Sequence, residues 1–173
     1  MKIIYVVLLS AFVSSCVNNE PMTLSFSPVF KLVVDSKAIG GSTIFYSDEL
    51  SLKMKDSKLI SAAVLSSDFE KLPDEFDIRN YPTYLLGIED LEEDASATKE
   101  FIITMNSMKY LYDLESVQIL EREGVTFYTT CGPENCLGYV VKGDFRGHIL
   151  SIRSSEIDQH KFTQFLMGAV DVK

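Results

Sequence analysis

Tryptophan is absent from this sequence, histidine occurs twice and cysteine three times, and 16 lysine and arginine residues are outnumbered by 25 aspartate and glutamate residues. The resulting formal net charge of -9 argues against a nucleic-acid partner, because proteins that bind phosphate backbones rely on lysine and arginine. It also argues against attachment to anionic lipid by charge. A basic protein partner is compatible with this composition, although solubility alone explains most acidic proteins.

Motifs that would identify an enzyme are missing as well. The serines lie in no G-x-S-x-G motif, and neither an H-E-x-x-H motif nor a phosphate-binding P-loop occurs. His148 and His160 stand alone in the sequence, and a lone histidine is more often a surface or packed residue than a catalytic base. We therefore predict no catalytic residue, no metal site and no cofactor.

The apolar run at residues 3–13 is too short to cross a bilayer as a helix, which takes about 20 residues. It follows Met1-Lys2, so one positive charge precedes a mostly apolar stretch, which is the order found in a secretory signal peptide. Val13-Ser14-Ser15-Cys16 comes next. We predict that residues 1–15 are a signal peptide that is removed.

This segment resembles the lipobox of bacterial lipoproteins, in which an aliphatic residue and two small residues precede the cysteine that is acylated. The resemblance covers residues 1–16 and implies that Cys16 carries a diacylglycerol and usually a further acyl chain, such as palmitate. Two or more acyl chains hold a protein firmly at a membrane. The mature protein would then bind the lipid bilayer through Cys16; the alternative is an ordinary secretory signal with an incidental cysteine.

The same resemblance implies a place in the cell envelope. Lipoproteins of this type are displayed outside the cytoplasmic membrane, and in Gram-negative relatives an aspartate after the lipidated cysteine is the usual signal for inner-membrane retention. Val17 occupies that position here. In a host with two membranes, this favours the outer membrane and a domain that faces the periplasm.

Cys131 and Cys136 remain as a pair once Cys16 is assigned to the lipid, and an exported protein matures in an oxidising compartment. Gly132-Pro133, a turn-forming pair, lies between them, and β-prone runs flank them at 125–130 and 137–141. We predict a β-hairpin whose loop is closed by a structural disulfide. The alternatives are a redox pair, which usually has two intervening residues rather than four, and a metal site, which would need more ligands.

The chain that remains after the signal peptide has the size of one domain. Residues 16–27 would form the lipidated N-terminus and a tether, and residues 28–173 a single domain. Alternating apolar and polar residues over 50–55 predict a half-buried strand, with Thr43–Tyr46 as its hairpin partner. The more continuous apolar run Leu59–Leu65 predicts a central strand.

The middle of the chain is irregular and acidic, and Pro73 and Pro82 limit any long helix there. Its most acidic stretch is 88–94, and we assign its last acidic residues to a partner-binding surface: Glu92, Glu93 and Asp94. A solvated loop that enters a helix explains the same residues, because a helix dipole favours acidic residues before its N-terminus. A calcium loop is a third interpretation, but the spaced ligands and turn glycine of an EF-hand are missing.

Two helices and a run of strands complete the prediction. Apolar residues at helical spacing predict a helix over 97–112 with a buried stripe of Phe101, Ile102, Met105, Met108 and Tyr112. Short strands joined by turns, at 117–121, 125–130, 137–142 and 148–153, predict an antiparallel meander. A last helix would begin at Ser154 or Ser155 and bury Phe162, Phe165, Leu166 and Ala169.

This order of strands, helix, strands and helix predicts an α+β fold in which two helices pack on an antiparallel sheet. The closing pattern, a meander followed by a terminal helix, resembles PsbP-type domains, which implies an α/β/α sandwich.

Three functions fit the sequence. The first is a non-enzymatic protein-interaction module held at the envelope, such as an immunity or assembly factor; the small size, the acidic surface and the missing catalytic motifs favour it. The second is a small hydrolase without a recognisable motif, which a pocket that joins a histidine to Ser, Cys or Asp would favour. The third is a structural envelope component, which an exposed apolar patch or a symmetric self-interface would favour.

Overall fold

The computed structural model describes residues 20–35, 42–46, 49–53, 58–73, 75–91, 98–155 and 157–171. In these ranges the strands are β1 (Met22–Ser25), β2 (Lys31–Val34), β3 (Thr43–Tyr46), β4 (Leu50–Lys53), β5 (Leu59–Leu65), β6 (Gln118–Arg122), β7 (Val125–Cys131), β8 (Asn135–Lys142) and β9 (Ile149–Ser155). The α-helices are α1 (Tyr81–Leu85), α2 (Lys99–Leu111) and α3 (Gln159–Ala169), and short 3-10 turns lie at Ile78–Asn80 and Leu114–Ser116.

Seven strands form one antiparallel sheet in the order β3-β4-β5-β9-β8-β7-β6, and β1 pairs with β2 in a separate hairpin. The hairpin β3–β4 and the meander β6–β9 are both confirmed. Strand β5 lies between β4 and β9, as its continuous apolar run predicts. The helical segment between β5 and β6 carries the chain across the sheet to its far edge.

The first face of the sheet is covered by α3 and the β1–β2 hairpin. Phe162 and Leu166 of α3 are fully buried. They lie directly over Gly138 of β8, where a Cβ would collide with the Leu166 side chain. Glycine at this position therefore allows the helix to approach the strand closely.

Arg122 of β6 ties the end of α3 to the same face. Its guanidinium donates hydrogen bonds to the carbonyls of Met167 and Val170, and its Cζ lies 5.6 Å from the centroid of the Phe127 ring. A cation at the C-terminal end of a helix is favoured by the helix dipole. Because Arg122 belongs to the edge strand, these bonds fix α3 relative to the sheet.

The second face is covered by α1 and α2. Phe101 and Met108 are the buried residues of α2, and they pack with Tyr81 of α1 over Tyr128 and Tyr139 of the sheet. The rings of Tyr81 and Tyr139 meet edge to face, with centroids 5.9 Å apart. With helices on both faces of an antiparallel sheet, the fold is α+β, as the sequence predicts.

Two local expectations differ from the structure. The sequence predicts a tether up to residue 27, whereas Met22–Ser25 forms β1, whose side chains Met22 and Leu24 pack on the core. The predicted buried stripe of α2 includes Ile102, which is 47% exposed, because it lies about 100° around the helix from Phe101. The helix Tyr81–Leu85 has five residues, which agrees with the prediction that Pro82 limits any long helix; proline is tolerated in the first turn, where its missing N–H would have no partner.

The start of the last helix also differs. Ser154 and Ser155 belong to the end of β9 rather than capping the helix, and the Ser155 hydroxyl accepts a hydrogen bond from the Leu59 amide across the sheet. Asp158 is the cap instead, since its carboxylate accepts a hydrogen bond from the Lys161 amide. The buried face is as expected for Phe162, Leu166 and Ala169, while Phe165 is half-buried.

Some predictions lie outside the described residues: the signal peptide, Cys16, and the acidic residues Glu92, Glu93 and Asp94. In the ranges that the structure describes, no helix combines the length and the hydropathy needed to cross a bilayer.

Candidate functional site

The cysteine pair lies where the sequence predicts it, at the tip of the β7–β8 hairpin. Cys131 and Cys136 are directly opposed in the register, at disulfide distance, with Cα atoms 4.0 Å apart. The hairpin tip packs against the C-terminal end of α2: the Asp113 amide donates to the Cys131 carbonyl at 3.0 Å, and Gly132 lies against the Leu111 carbonyl. The cysteine pair therefore lies in the part of the hairpin that contacts the end of α2.

An open depression beside β9 brings together residue types found in hydrolases. His148 lines it together with Ser66, Ser67 and Asp77. The Ser67 hydroxyl donates to the Phe76 carbonyl at 3.1 Å, and the Ser66 hydroxyl accepts from the Phe69 amide at 3.2 Å. Among the described residues, His148 has no hydrogen-bond partner, and its ring stacks on that of Phe145. The serines are thus bonded to the backbone and not to the histidine.

Asp77, the carboxylate of this depression, is bonded elsewhere. It accepts hydrogen bonds from the guanidinium and the amide of Arg79, and Arg79 also donates to the Gly143 carbonyl. The side-chain hydrogen bond from Arg79 is the main reason why the pKa of Asp77 lies below its ordinary value. A carboxylate held in this way does not orient His148. His160 lies apart from the depression, exposed in the first turn of α3, where it contacts Gln164.

A second, deeper cavity of about 510 Å³ lies on the face that α1 and α2 cover. Its floor consists of neighbouring residues of β5, β9 and β8: Ser61 pairs with Arg153, Ala63 with Ser151, and Ser151 with Tyr139. Directly paired residues of antiparallel strands point to the same face. Because Ser61, Ala63 and Ser151 are small, the helices that rest on the larger tyrosines leave space above them.

The walls of the cavity come from four segments. Leu85 of α1 and Met108 of α2 supply apolar surface, and Phe69, 63% exposed, lies at the mouth. Glu70 belongs to the turn after β5, and its carboxylate accepts a hydrogen bond of 2.7 Å from the Tyr81 hydroxyl. Glu49, before β4, completes the lining.

Two hydroxyls of this cavity belong to buried residues and have no partner among the described residues. Tyr139 is 2% exposed and Ser151 is 5% exposed, and in the described part of the chain no hydrogen bond engages either side-chain oxygen. Burial raises the pKa of Tyr139 above its ordinary value, and nearby Arg153 opposes part of that rise. Burial also raises the pKa of Tyr81, with Tyr139 and the bond to Glu70 adding to the effect. Both phenols stay neutral at physiological pH and can donate hydrogen bonds.

The outward half of α2 is the third feature, because several large apolar side chains are exposed on it. Its exposed apolar residues are Ile102 (47%), Ile103 (55%), Tyr110 (88%) and Leu111 (57%). The charged residues of the helix number three: Lys99, Glu100 and Lys109. A surface helix normally turns a polar face to solvent. Here the four exposed apolar side chains, together called the α2 outer surface, lie on the solvent side of the helix among polar residues such as Asn106 and Ser107.

The sequence predicts the cysteine pair, and it places His148 as the first residue of a strand that in the structure begins one residue later, at Ile149. The predictions include neither the cavity nor the α2 outer surface. The exposed Ile103, Tyr110 and Leu111 lay outside the stripe expected to be buried, which was a usable signal for a surface. Nothing local marks the cavity residues, since Ser61, Glu70, Tyr81, Tyr139 and Arg153 come from distant parts of the chain.

Within the described ranges, no group of three or more His, Cys, Asp and Glu side chains is placed to hold a metal ion. No protein-family model matches the chain, and no curated protein matches it in sequence.

Proposed function

We propose that the mature chain is a lipoprotein of the cell envelope that acts as a non-enzymatic protein-interaction module, such as an immunity or assembly factor. The observation that supports this proposal is the α2 outer surface, where four large apolar side chains lie exposed on one helix. Large apolar side chains that are exposed rather than buried often mark a protein-binding site. Tyrosine is enriched in such sites, and Tyr110 is the most exposed of the four.

The acidic segment that precedes α2 in the sequence suggests what kind of protein would bind. Glu89 and Asp90 are exposed, and Glu92, Glu93 and Asp94 follow them along the chain shortly before α2 begins at Lys99. A partner with an apolar centre and a basic rim would be complementary to this arrangement. Charges at a rim mainly accelerate and orient the encounter, whereas the buried apolar centre holds the complex together.

The proposed anchor restricts where such a partner can be found. Strand β1 begins at Met22, six residues after Cys16. At about 3.5 Å per residue, that link spans about 20 Å when fully extended. A lipid on Cys16 would therefore hold the domain close to the membrane, the outer membrane in a host with two, and its partner would lie at or near the same surface.

Binding by defined variants tests this proposal. The full lipoprotein, purified in detergent, captures its partner from envelope extracts, and association and dissociation rates are then measured with the purified partner. The double variant Ile103→Ser/Tyr110→Ser should weaken binding about tenfold or more, since truncation of a buried interface aromatic often costs about 2 kcal/mol. The matched control is Ile44→Ser, because Ile44 is 50% exposed but lies on the edge strand β3.

The acidic segment is tested in the same assay. Glu92→Gln/Glu93→Gln/Asp94→Asn should slow association at low salt and leave dissociation nearly unchanged, because steering by charge acts on the encounter. Equal affinity of the Ile103→Ser/Tyr110→Ser variant and the wild type would contradict the proposal. A purified protein that turns over a small substrate, with turnover abolished by His148→Ala, would contradict it too and favour a hydrolase.

A further inference from the structure

The cavity above β5, β9 and β8 contains charges of both signs that do not neutralise each other. Arg153, Glu49 and Glu70 all line it, yet in the described residues Arg153 forms no ion pair with either carboxylate. Arg153 and Glu70 nevertheless lie close enough for both to act electrostatically on Tyr81 and Tyr139. Opposite charges held apart around one cavity are complementary to a ligand that carries both charges.

The polar groups divide into two sets by what they can offer a ligand. Tyr139 and Ser151 are opposed across β8 and β9, and Arg153 follows Ser151 on the same face of β9. Two hydroxyls without partners and a guanidinium form a set of donors suited to a carboxylate. Glu70 already accepts the Tyr81 hydroxyl and keeps further acceptor capacity, which suits an ammonium group.

The remaining surface of the cavity is apolar. Leu65, Leu85 and Met108 line it beside Ala63, and a volume of about 510 Å³ falls in the range of small-molecule sites. The Tyr139 and Ser151 hydroxyls, which have no partner in the described part of the protein, supply hydrogen-bond donors on the floor of this cavity.

From this arrangement we propose that the cavity binds a small zwitterion, an α-amino acid with an apolar side chain or a dipeptide of such residues. The carboxylate of the ligand accepts hydrogen bonds from Arg153, Ser151 and Tyr139. Its ammonium group donates to Glu70, and its side chain packs against Leu85 and Met108. This site is separate from the α2 outer surface, since Met108 lies on the opposite face of that helix.

Calorimetric titration of the full lipoprotein in detergent tests the proposal. The probes are leucine, phenylalanine and the dipeptide Leu-Leu; leucinamide lacks the carboxylate, 4-methylpentanoate lacks the amine, and glucose is neutral. At least one zwitterion should bind saturably, and the removal of either charge should weaken binding about tenfold or more. Comparison of leucine with Leu-Leu distinguishes a free amino acid from a peptide as the source.

Variants locate the binding. Arg153→Gln and Glu70→Gln should each weaken zwitterion binding about tenfold or more. The Arg153→Gln variant should no longer bind leucine more tightly than leucinamide, and the Glu70→Gln variant should no longer bind leucine more tightly than 4-methylpentanoate. Arg146→Gln and Glu75→Gln, exposed residues of the other depression, are the matched controls and should bind as the wild type does. The proposal is overturned if no zwitterion saturates the protein, if a single-charge probe or glucose binds as tightly, or if Arg153→Gln binds normally.

Discussion

Gly132 shows at the scale of one residue how tightly the cysteine hairpin is packed. A Cβ at this position would collide with the backbone carbonyl of Leu111, the last residue of α2. Backbone cannot move aside as a flexible side chain can, so the hairpin tip or the helix end would have to shift. Gly168, by contrast, lies exposed in α3 with no atom near the position of a Cβ.

Substitution of Gly132 tests this contact, and the same substitution at Gly168 is the control. Gly132→Ala should lower the free energy of unfolding by about 1–3 kcal/mol, because overpacking forces the backbone to move. Gly168→Ala should raise it by up to about 1 kcal/mol, because alanine favours the helix more than glycine does. Denaturant unfolding monitored by circular dichroism measures both. A Gly132→Ala protein as stable as the wild type would show that the hairpin and α2 are not in close contact.

At the scale of the element, the β7–β8 hairpin is the part of the fold that the sequence predicts most directly. The turn formers, the flanking β-prone runs and the cysteine spacing all indicate the same structure, and the strands and the cysteine placement are confirmed. Local signals suffice here because the pairing is between neighbours in the chain.

Removal of the cysteine pair should weaken the fold by a limited amount. Cys131→Ser/Cys136→Ser should lower the free energy of unfolding by about 2 kcal/mol, the value that the chain-entropy model gives for so short a loop. The fold should persist, because the sheet and both helical layers remain. Thiol labelling of the protein isolated from its cells, without reductant, should find neither cysteine free; ready labelling would favour the redox or metal alternative.

Other elements depended on contacts that a single sequence does not reveal. Ser154 and Ser155 are as good helix caps as Asp158 in isolation, but β9 extends through both serines because β5 and β8 offer hydrogen-bond partners on either side. β1 has a weak pattern of four residues, and its partner β2 and the helix α3 beneath the hairpin account for its existence. The end of β9 and the existence of β1 therefore depend on tertiary contacts.

At the scale of the whole molecule, the sequence predicted the class of fold but not the candidate sites. Periodicity indicates which residues face a core, so the α+β arrangement follows from it. The cavity depends on which strands become neighbours: Ser61 meets Arg153 only because β5 pairs with β9, an event between residues about 90 positions apart. The α2 outer surface, by contrast, has a local signal in the sequence, since Ile103, Tyr110 and Leu111 fall outside the predicted buried stripe of the helix.

The central claim is that the α2 outer surface contacts a partner protein at the envelope. Site-specific photocrosslinking in intact cells tests it most directly, with a photoreactive phenylalanine analogue at Tyr110 and, as the control, at Ile44 of the lipidated protein. We predict that Tyr110 gives a discrete crosslinked adduct with another protein, and that the adduct is lost with Ile103→Ser, while Ile44 gives none. No adduct at Tyr110, or the same adducts at both positions, would contradict the claim, and an adduct with a second copy of this chain would favour a structural envelope component instead.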